Sequence, residues 1–273
     1  MSPEKRKKTV LVVVAHADDM EFMAAGTIAR FVDEFGHDVY EYILTDNSKG
    51  SYRLSGPELA RISAEEAREA GRILGLREVR LEGWPDGELD RMPPWELRGR
   101  IMAVIRELRA DVVMSWDPFA PHEDHPDHRA VAMATLEAAA FASNPLFYPE
   151  HAHAPHMVTE AYWFAKSPVN ADLFVDISST MDKKLEALLA HECQMELTVD
   201  ALALEAEAVG ADLPMLRGLD AAARRGLIET AIRGHCAEVG AAGGLAAAER
   251  FRHEKLGMLD KALGTSFVTP DFA

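Results

Sequence analysis

The sequence predicts an α/β fold, a Rossmann-like and mostly parallel sheet with helices on both faces and a helical C-terminal region. Two observations predict it. Apolar runs rich in β-branched residues alternate with helix-length segments, two of which end in glycine, and polar loops follow the runs. A chain of 273 residues with 48% hydrophobic and 27% charged residues also has the composition of a globular protein with a sizeable core.

The first half of the chain alternates four predicted strands with three predicted helices. The first strand, residues 9–15, is an unbroken apolar run typical of a buried parallel strand. The elements that follow are a helix at 21–35, a strand at 39–45, a helix at 57–74, a strand at 78–83, a helix at 94–109 and a strand at 111–116. Right-handed βαβ connections make these strands parallel, so the loops after them should share one edge of the sheet. These loops cover 16–20, 46–56, 84–88 and 117–127.

The second half is expected to continue the sheet and then to become helical. Strands are predicted at 160–165 and 172–178, followed by a helix at 181–197. The remaining segment is rich in alanine, interrupted by glycine and mostly helical by propensity. We therefore expect one domain over 1–273, with a core of about 9–197 and a helical extension of about 198–273.

Charge and cysteine content argue against several classes of function. The formal net charge is -16, and the only basic run is "KRKK" at 5–8, so no nucleic-acid partner is expected. The apolar stretch after that run is too short to span a bilayer, so we expect a cytoplasmic protein without a membrane partner. Cys193 and Cys236 are too few for a disulfide framework, and any metal must bind to histidine and carboxylate.

Two polar stretches fall on the predicted edge of the sheet. "AHADDME" follows the first strand, and "PHEDHPDH" follows the fourth. Each alone has an ordinary explanation, because adjacent aspartates often cap a helix and "HPDH" often forms a surface turn. Together they favour a metal site, since zinc binds imidazole and carboxylate and a catalytic zinc usually has three protein ligands. His16, Asp19 and His128 would supply such a set.

The same stretches resemble a known family. "AHADDMEF" resembles the AHPDDxEF signature, and "HPDHRAV" resembles the HPDHxAV signature, of the LmbE-like or PIG-L zinc-dependent N-deacetylases. These enzymes hydrolyse the acetamide of an amino sugar such as N-acetylglucosamine. The resemblance covers about residues 9–196, and "WDPFAPHEDHPDH" with "AFASNP" is most similar to the diacetylchitobiose deacetylases.

The resemblance implies a role for each matching residue. The three ligand candidates match the metal ligands of the family, and Asp18 matches its general base. His125 matches the imidazole that assists the tetrahedral intermediate or the leaving amine, and Asp127 matches the acid that orients this imidazole and keeps it protonated. The resemblance further implies one Zn²⁺ per chain, with other divalent metals as alternatives, and a homo-oligomer, either a hexamer or a trimer.

Two positions depart from the pattern of the family. Ala17 replaces the usual proline, and Ser63 stands where an arginine near the ligand pocket is usual. The candidate substrate contacts are Arg53, Asp86 and His122, each on a loop at the predicted edge of the sheet.

We therefore predict a zinc-dependent hydrolase that removes the N-acetyl group from an N-acetylglucosamine-type amino sugar, or from its diacetylchitobiose-like glycoside, and releases acetate. Two alternatives stay open. One is a zinc amidase of the same fold that acts on another acylated amine or on a thiol conjugate. The other is a non-catalytic, Rossmann-like ligand-binding protein, although the turn after the first strand lacks the GxGxxG motif of dinucleotide-binding sites.

Overall fold

The computed structural model describes residues 6–167, 169–216, 218–264 and 270–272. Its strands are β1 (Thr9–Val14), β2 (Asp38–Thr45), β3 (Glu78–Trp84), β4 (Val112–Trp116), β5 (Glu160–Phe164), β6 (Leu173–Asp176) and β7 (Ala248–Lys255). Its α-helices are α1 (Asp19–Asp33), α2 (Gly56–Leu74), α3 (Pro94–Leu108), α4 (Pro126–Phe141), α5 (Met181–Leu188), α6 (Glu192–Ala208), α7 (Ala221–Ala242) and α8 (Leu259–Leu263). Short 3-10 helices lie at Leu89–Arg91 and Pro214–Leu216.

The strands form one sheet in the order β3-β2-β1-β4-β5-β7-β6. Strands β1 to β5 are parallel, and β7 pairs antiparallel with both β5 and β6. The central strand β1 is buried on both faces: Val12 and Val14 belong to one hydrophobic core, and Leu11 and Val13 belong to the other. The predicted α/β class with helices on both faces is therefore confirmed.

The predicted elements of the first half are confirmed, with bounds that shift by at most a few residues. The first helix begins at Asp19 rather than at residue 21, so the two aspartates lie at its N-terminus. The helix predicted at 181–197 is two helices, α5 and α6, and the second extends to Ala208. None of the helices in the described ranges combines the length and apolar composition needed to cross a membrane.

The segment predicted to be a helical extension contains β7, so the expected core boundary near residue 197 is wrong. The sequence of β7 is "AERFRHEK", in which charged residues conceal the strand. Two of these charges pair with residues far along the chain: Glu249 binds Lys184, and Arg252 binds both carboxylate oxygens of Asp117, at 2.9 and 3.0 Å. Because β7 lies between β5 and β6, the sheet runs through both parts of the chain and supports the single domain that we propose.

A buried ion pair between α5 and β7 also binds the backbone of α1. Lys184 Nζ donates to Glu249 Oε1 at 2.7 Å and to the carbonyl oxygens of Glu21 and Phe22 at 2.9 and 2.8 Å. Glu249 also accepts hydrogen bonds from the backbone N–H groups of Gly26 and Thr27. The charges are therefore compensated, and the first turns of α1 are held against β7.

We predict that Lys184→Met lowers the free energy of unfolding by about 3–5 kcal/mol, because it leaves the Glu249 carboxylate buried without its cation. The control is Lys183→Met, which removes a surface pair with Asp33 and should cost about 1 kcal/mol or less. Urea denaturation of both variants checks this. Equal losses in the two variants would contradict the proposed importance of the buried pair.

Candidate active site

A cavity of about 450 Å³ lies at the carboxyl edge of the parallel strands. The loops after β1, β2, β3, β4 and β5 and the first turns of α1, α4 and α6 contribute to its wall. Its lining residues are His16, Asp18, Asp19, Phe22, Met23, Asn47, Lys49, Gly50, Asp86, Trp116, His125, His128, Lys166, Gln194 and Leu197. This is the edge at which open α/β sheets bind their ligands.

The carboxylate of Asp19 is fixed through one of its two oxygens. Asp19 Oδ2 accepts hydrogen bonds from the backbone N–H groups of Ala15 and His16, at 3.1 and 3.0 Å, and from Trp116 Nε1 at 2.9 Å. Its other oxygen, Oδ1, lies 3.2 Å from His128 Nε2. Burial alone would raise the pKa of Asp19, but the charge and hydrogen bond of His128 hold it well below its usual range.

His16 presents its two ring nitrogens to different partners. Nδ1 lies 3.1 Å from His128 Nε2 and 3.8 Å from Asp19 Oδ2. Nε2 lies 3.2 Å from Asp86 Oδ1 and 3.3 Å from Asp127 Oδ2. Burial alone would lower the pKa of His16, but hydrogen bonds to Asp127, Asp19 and Asp86 raise it well above its usual range. This concentration of carboxylates favours a bound cation.

His128 is arranged in the same way. Its Nε2 faces His16 and Asp19, and its Nδ1 lies 3.0 Å from Glu123 Oε1. Its ring also stacks on Trp116, with centroids 4.0 Å apart. Each of the two imidazoles therefore has one nitrogen at the centre of the site and the other against a carboxylate.

This donor set fits a metal ion. The distances between His16 Nδ1, His128 Nε2 and the Asp19 oxygens run from 3.1 to 3.8 Å. Ligands held tetrahedrally at about 2.0–2.1 Å from zinc lie about 3.3 Å apart. Two other groups of donors also lie within 4.8 Å of one another, His16 with His125 and His128, and His16 with Asp86, His125 and Asp127. A set that uses Asp86 and Asp127 would take away the carboxylates that face the outer nitrogen of His16, whereas the set with Asp19 leaves a carboxylate on the outer nitrogen of both imidazoles, as metal-bound histidines usually have. Asp19 also supplies the carboxylate of the histidine and aspartate set that the family resemblance implies.

Asp18 lines the cavity at the turn between β1 and α1. Its backbone is left-handed, with φ 104° and ψ -23°, a conformation that aspartate and asparagine tolerate better than most residues. Such local strain is often found at functional sites. Burial raises the pKa of the Asp18 carboxyl to about 7, and the neighbouring charge of Asp19 adds to the effect. A carboxyl with this pKa has the proton affinity of a general base.

Asn47, from the loop after β2, fixes the backbone of Ala17, which lies between His16 and Asp18. Its Oδ1 accepts a hydrogen bond from Ala17 N at 3.0 Å, and its Nδ2 donates to the Ala17 carbonyl at 3.3 Å. A proline at this position would lack the N–H group that Asn47 binds. The turn is thus held without the proline of the family signature.

His125 and Asp127 differ from their predicted arrangement. The carboxylate of Asp127 accepts hydrogen bonds from the backbone N–H groups of Gly87 and Leu89, at 2.7 and 2.9 Å, and faces His16. The backbone N–H of Asp127 donates to His125 Nδ1 at 3.2 Å. Burial lowers the pKa of His125, and the charges of His16 and His128 lower it further. The carboxylate of Asp127 therefore faces His16 rather than orienting His125, whose Nδ1 caps α4.

The candidate substrate contacts fall in three different places. Asp86 lines the cavity, where it binds His16 and accepts a hydrogen bond from Lys49 N at 2.8 Å. Arg53 lies outside the metal cavity and is paired with acidic residues of α6. His122 is exposed, and neither it nor the buried Ser63 is among the residues that line this cavity.

Besides Asn47, three contributors to the site were not predicted from the sequence. Glu123 binds the outer nitrogen of His128, Trp116 fixes Asp19, and Lys166 lines the cavity while its Nζ lies 3.1 Å from Glu123 Oε1. Burial alone would raise the pKa of Glu123, but hydrogen bonds from His128 and Lys166 lower it to about 2. Glu123 lies within "PHEDHPDH", so the motif contained a signal for it, whereas the tryptophan reads as the apolar end of a strand.

Comparison with known proteins agrees with this geometry. The family model for PIG-L, GlcNAc-PI de-N-acetylase, matches residues 11–139. A diacetylchitobiose deacetylase from Thermococcus kodakarensis is 36% identical over 193 residues, which cover 68% of this chain and 70% of the relative. The chain belongs to the PIG-L family. The predicted family resemblance is thus confirmed.

Two further relatives extend the comparison. The solved structure of N,N'-diacetylchitobiose deacetylase from Pyrococcus horikoshii, in complex with its inhibitor MPG, matches with a TM-score of 0.74 and 26% identity, over 98% of this chain and 90% of that one. A probable N-acetyl-alpha-D-glucosaminyl L-malate deacetylase 2 from Bacillus anthracis is 30% identical over 74% of this chain and 88% of the relative. This PIG-L protein is a hydrolytic deacetylase, as the sequence predicted, and deacetylases of the family are metal-dependent.

We predict that His128→Ala abolishes metal binding, because it removes a donor atom and leaves two protein ligands where a catalytic zinc usually has three. Elemental analysis after incubation with zinc and desalting should find about one zinc per parent chain and almost none in the variant. His122→Ala is the matched control, since this exposed histidine lies outside the cavity and its loss should leave the zinc content unchanged. Retention of zinc by His128→Ala would remove this residue from the ligand set.

Proposed function

We propose that the protein is a zinc-dependent deacetylase that hydrolyses the N-acetyl group of an N-acetylglucosamine-type amino sugar or of its glycoside, with diacetylchitobiose as the reference substrate. The observation that carries the proposal is the pair of imidazoles, His16 and His128, whose inner nitrogens converge with Asp19 while their outer nitrogens face carboxylates. The relatives named for diacetylchitobiose and for N-acetyl-glucosaminyl malate support an amino-sugar substrate.

His16, Asp19 and His128 would hold the metal. Two imidazoles and one carboxylate form a donor set suited to zinc, and the buried thiols Cys193 and Cys236 take no part in the cavity. Zinc, when bound there, would lower the pKa of a water molecule and polarise the acetamide carbonyl. Asp86, Asp127 and Glu123 orient the two imidazoles from outside.

Asp18 and His125 are the residues that we assign to proton transfer and to charge stabilisation. Asp18 takes a proton from the attacking water and delivers it to the amine nitrogen as the C–N bond breaks, so the products are acetate and a free amino sugar. Because His125 Nδ1 accepts from the Asp127 backbone, its ring proton lies on Nε2. We assign Nε2–H as a donor to the carbonyl oxygen, on which negative charge develops.

A cytoplasmic location and a homo-oligomer, a hexamer or a trimer, belong to the same proposal. Two buried cysteines without a disulfide suit a reducing compartment. Trp95 on α3 and Met133 and Phe141 on α4 are exposed apolar side chains on neighbouring helices, which suits a subunit interface. Light scattering coupled to size-exclusion chromatography measures the oligomeric state.

We predict that Asp18→Asn lowers kcat for acetate release from diacetylchitobiose by about 10²–10⁴-fold while zinc stays bound. Asparagine accepts the left-handed backbone at this position, so the turn should be preserved. The control is Asp124→Asn, an exposed acid in the same loop as the second motif, which should behave like the parent.

The assay records acetate with and without a chelator on the same preparation. Acetate release that needs metal and the Asp18 carboxylate supports the proposal. Undiminished turnover by Asp18→Asn would remove Asp18 as the base. Activity that survives complete removal of metal would contradict the proposed function.

A further inference from the structure

A second cavity, of about 420 Å³, lies beside the metal cavity and is built from the same two elements. Gly50, on the loop after β2, and Leu197, on α6, line the metal cavity. Tyr52 and Asp200, two and three residues further along the chain, line the second cavity. Because an α-helix rises about 1.5 Å per residue, Asp200 lies about 4.5 Å beyond Leu197 along α6. The two cavities are therefore neighbours.

The boundary between the cavities is a contact between the loop after β2 and α6. A Cβ atom on Gly50 would lie 3.3 Å from Gln194 Oε1 and 3.5 Å from Leu197 Cδ2, so the loop touches α6 at a residue without a side chain. Next to this contact, Arg53 Nε donates to Asp200 Oδ2 at 2.6 Å, and Arg53 also pairs with Glu196 at 2.9 Å. These contacts hold the loop against α6 at the boundary between the two cavities.

The lining of the second cavity suits a neutral ring that carries hydroxyl groups. Tyr52, which is 62% exposed, offers an aromatic ring, and Leu204, which is 48% exposed, offers an apolar side chain. Arg53, Asp200 and Glu207 supply polar groups. A sugar has apolar ring faces and a polar edge, so it can use both kinds of group. One cation against two acids makes the lining acidic, which disfavours an anionic substituent.

The lysines that line the metal cavity also argue against an anionic substituent. Lys49 Nζ lies 3.0 Å from Glu88, and Lys166 Nζ lies 3.1 Å from Glu123. Both lysines that line that cavity are therefore already paired. We propose, building on the proposed function, that the second cavity binds the sugar ring attached to the acetamido sugar. The preferred substrate is then a neutral glycoside of at least two rings, rather than a monosaccharide or an anionic conjugate.

Leu204→Trp tests the proposal by filling the second cavity. The matched control is Leu202→Trp on the same helix, since Leu202 is 41% exposed and is not among the residues that line the cavity. Acetate release gives kcat/KM for N-acetylglucosamine and for diacetylchitobiose. Leu204→Trp should lower the value for the disaccharide by about tenfold or more and change that for the monosaccharide by less than about twofold. Leu202→Trp should leave both unchanged.

Tyr52→Ala should reproduce this selective loss, and Tyr52→Phe should not, because phenylalanine keeps the ring face. Equal changes for both substrates, or an unchanged disaccharide value in Leu204→Trp, would overturn the subsite. If the parent releases acetate from neither sugar, the proposed function fails separately. Calorimetric titration with diacetylchitobiose then decides the subsite: weaker binding to Leu204→Trp than to the parent supports it, and equal affinities or no binding to the parent overturn it.

Discussion

The site depends on the three hydrogen bonds that hold one oxygen of Asp19. Two come from backbone N–H groups at the end of β1 and one from Trp116 at the end of β4, so the carboxylate joins the two central strands. A buried carboxylate is costly unless such donors compensate it. With Oδ2 occupied, Oδ1 is left to face His128, and the stacked ring of Trp116 fixes the plane of that imidazole.

Other parts of the fold hold this centre from a distance. Lys184 and Glu249 fix the first turns of α1, which begins with Asp19, and thereby connect β7 to the site. The loop after β3 contributes Asp86, and its backbone N–H groups bind Asp127, so both acids that face His16 depend on one short turn. The chemistry of the site is thus assembled from strand ends, while the helices and β7 supply rigidity.

Local patterns in the sequence predicted most of the fold and the members of the site, but not their pairing. The run at 9–15 and the alternation that follows it predicted the parallel strands, and two motifs predicted the donors. The strand β7 was missed because its charges find partners far along the chain, Glu249 with Lys184 and Arg252 with Asp117. Asp127 was paired with His125, its neighbour in sequence, whereas its carboxylate faces a histidine 111 residues away.

The most direct test of the metal centre is an anomalous difference map, recorded at the zinc absorption edge from crystals of the zinc-loaded protein. We predict one peak within about 2.0–2.2 Å of His16 Nδ1, His128 Nε2 and an oxygen of Asp19. A peak bound instead by His16 Nε2 with Asp86 and Asp127, or no peak among these residues, would contradict it.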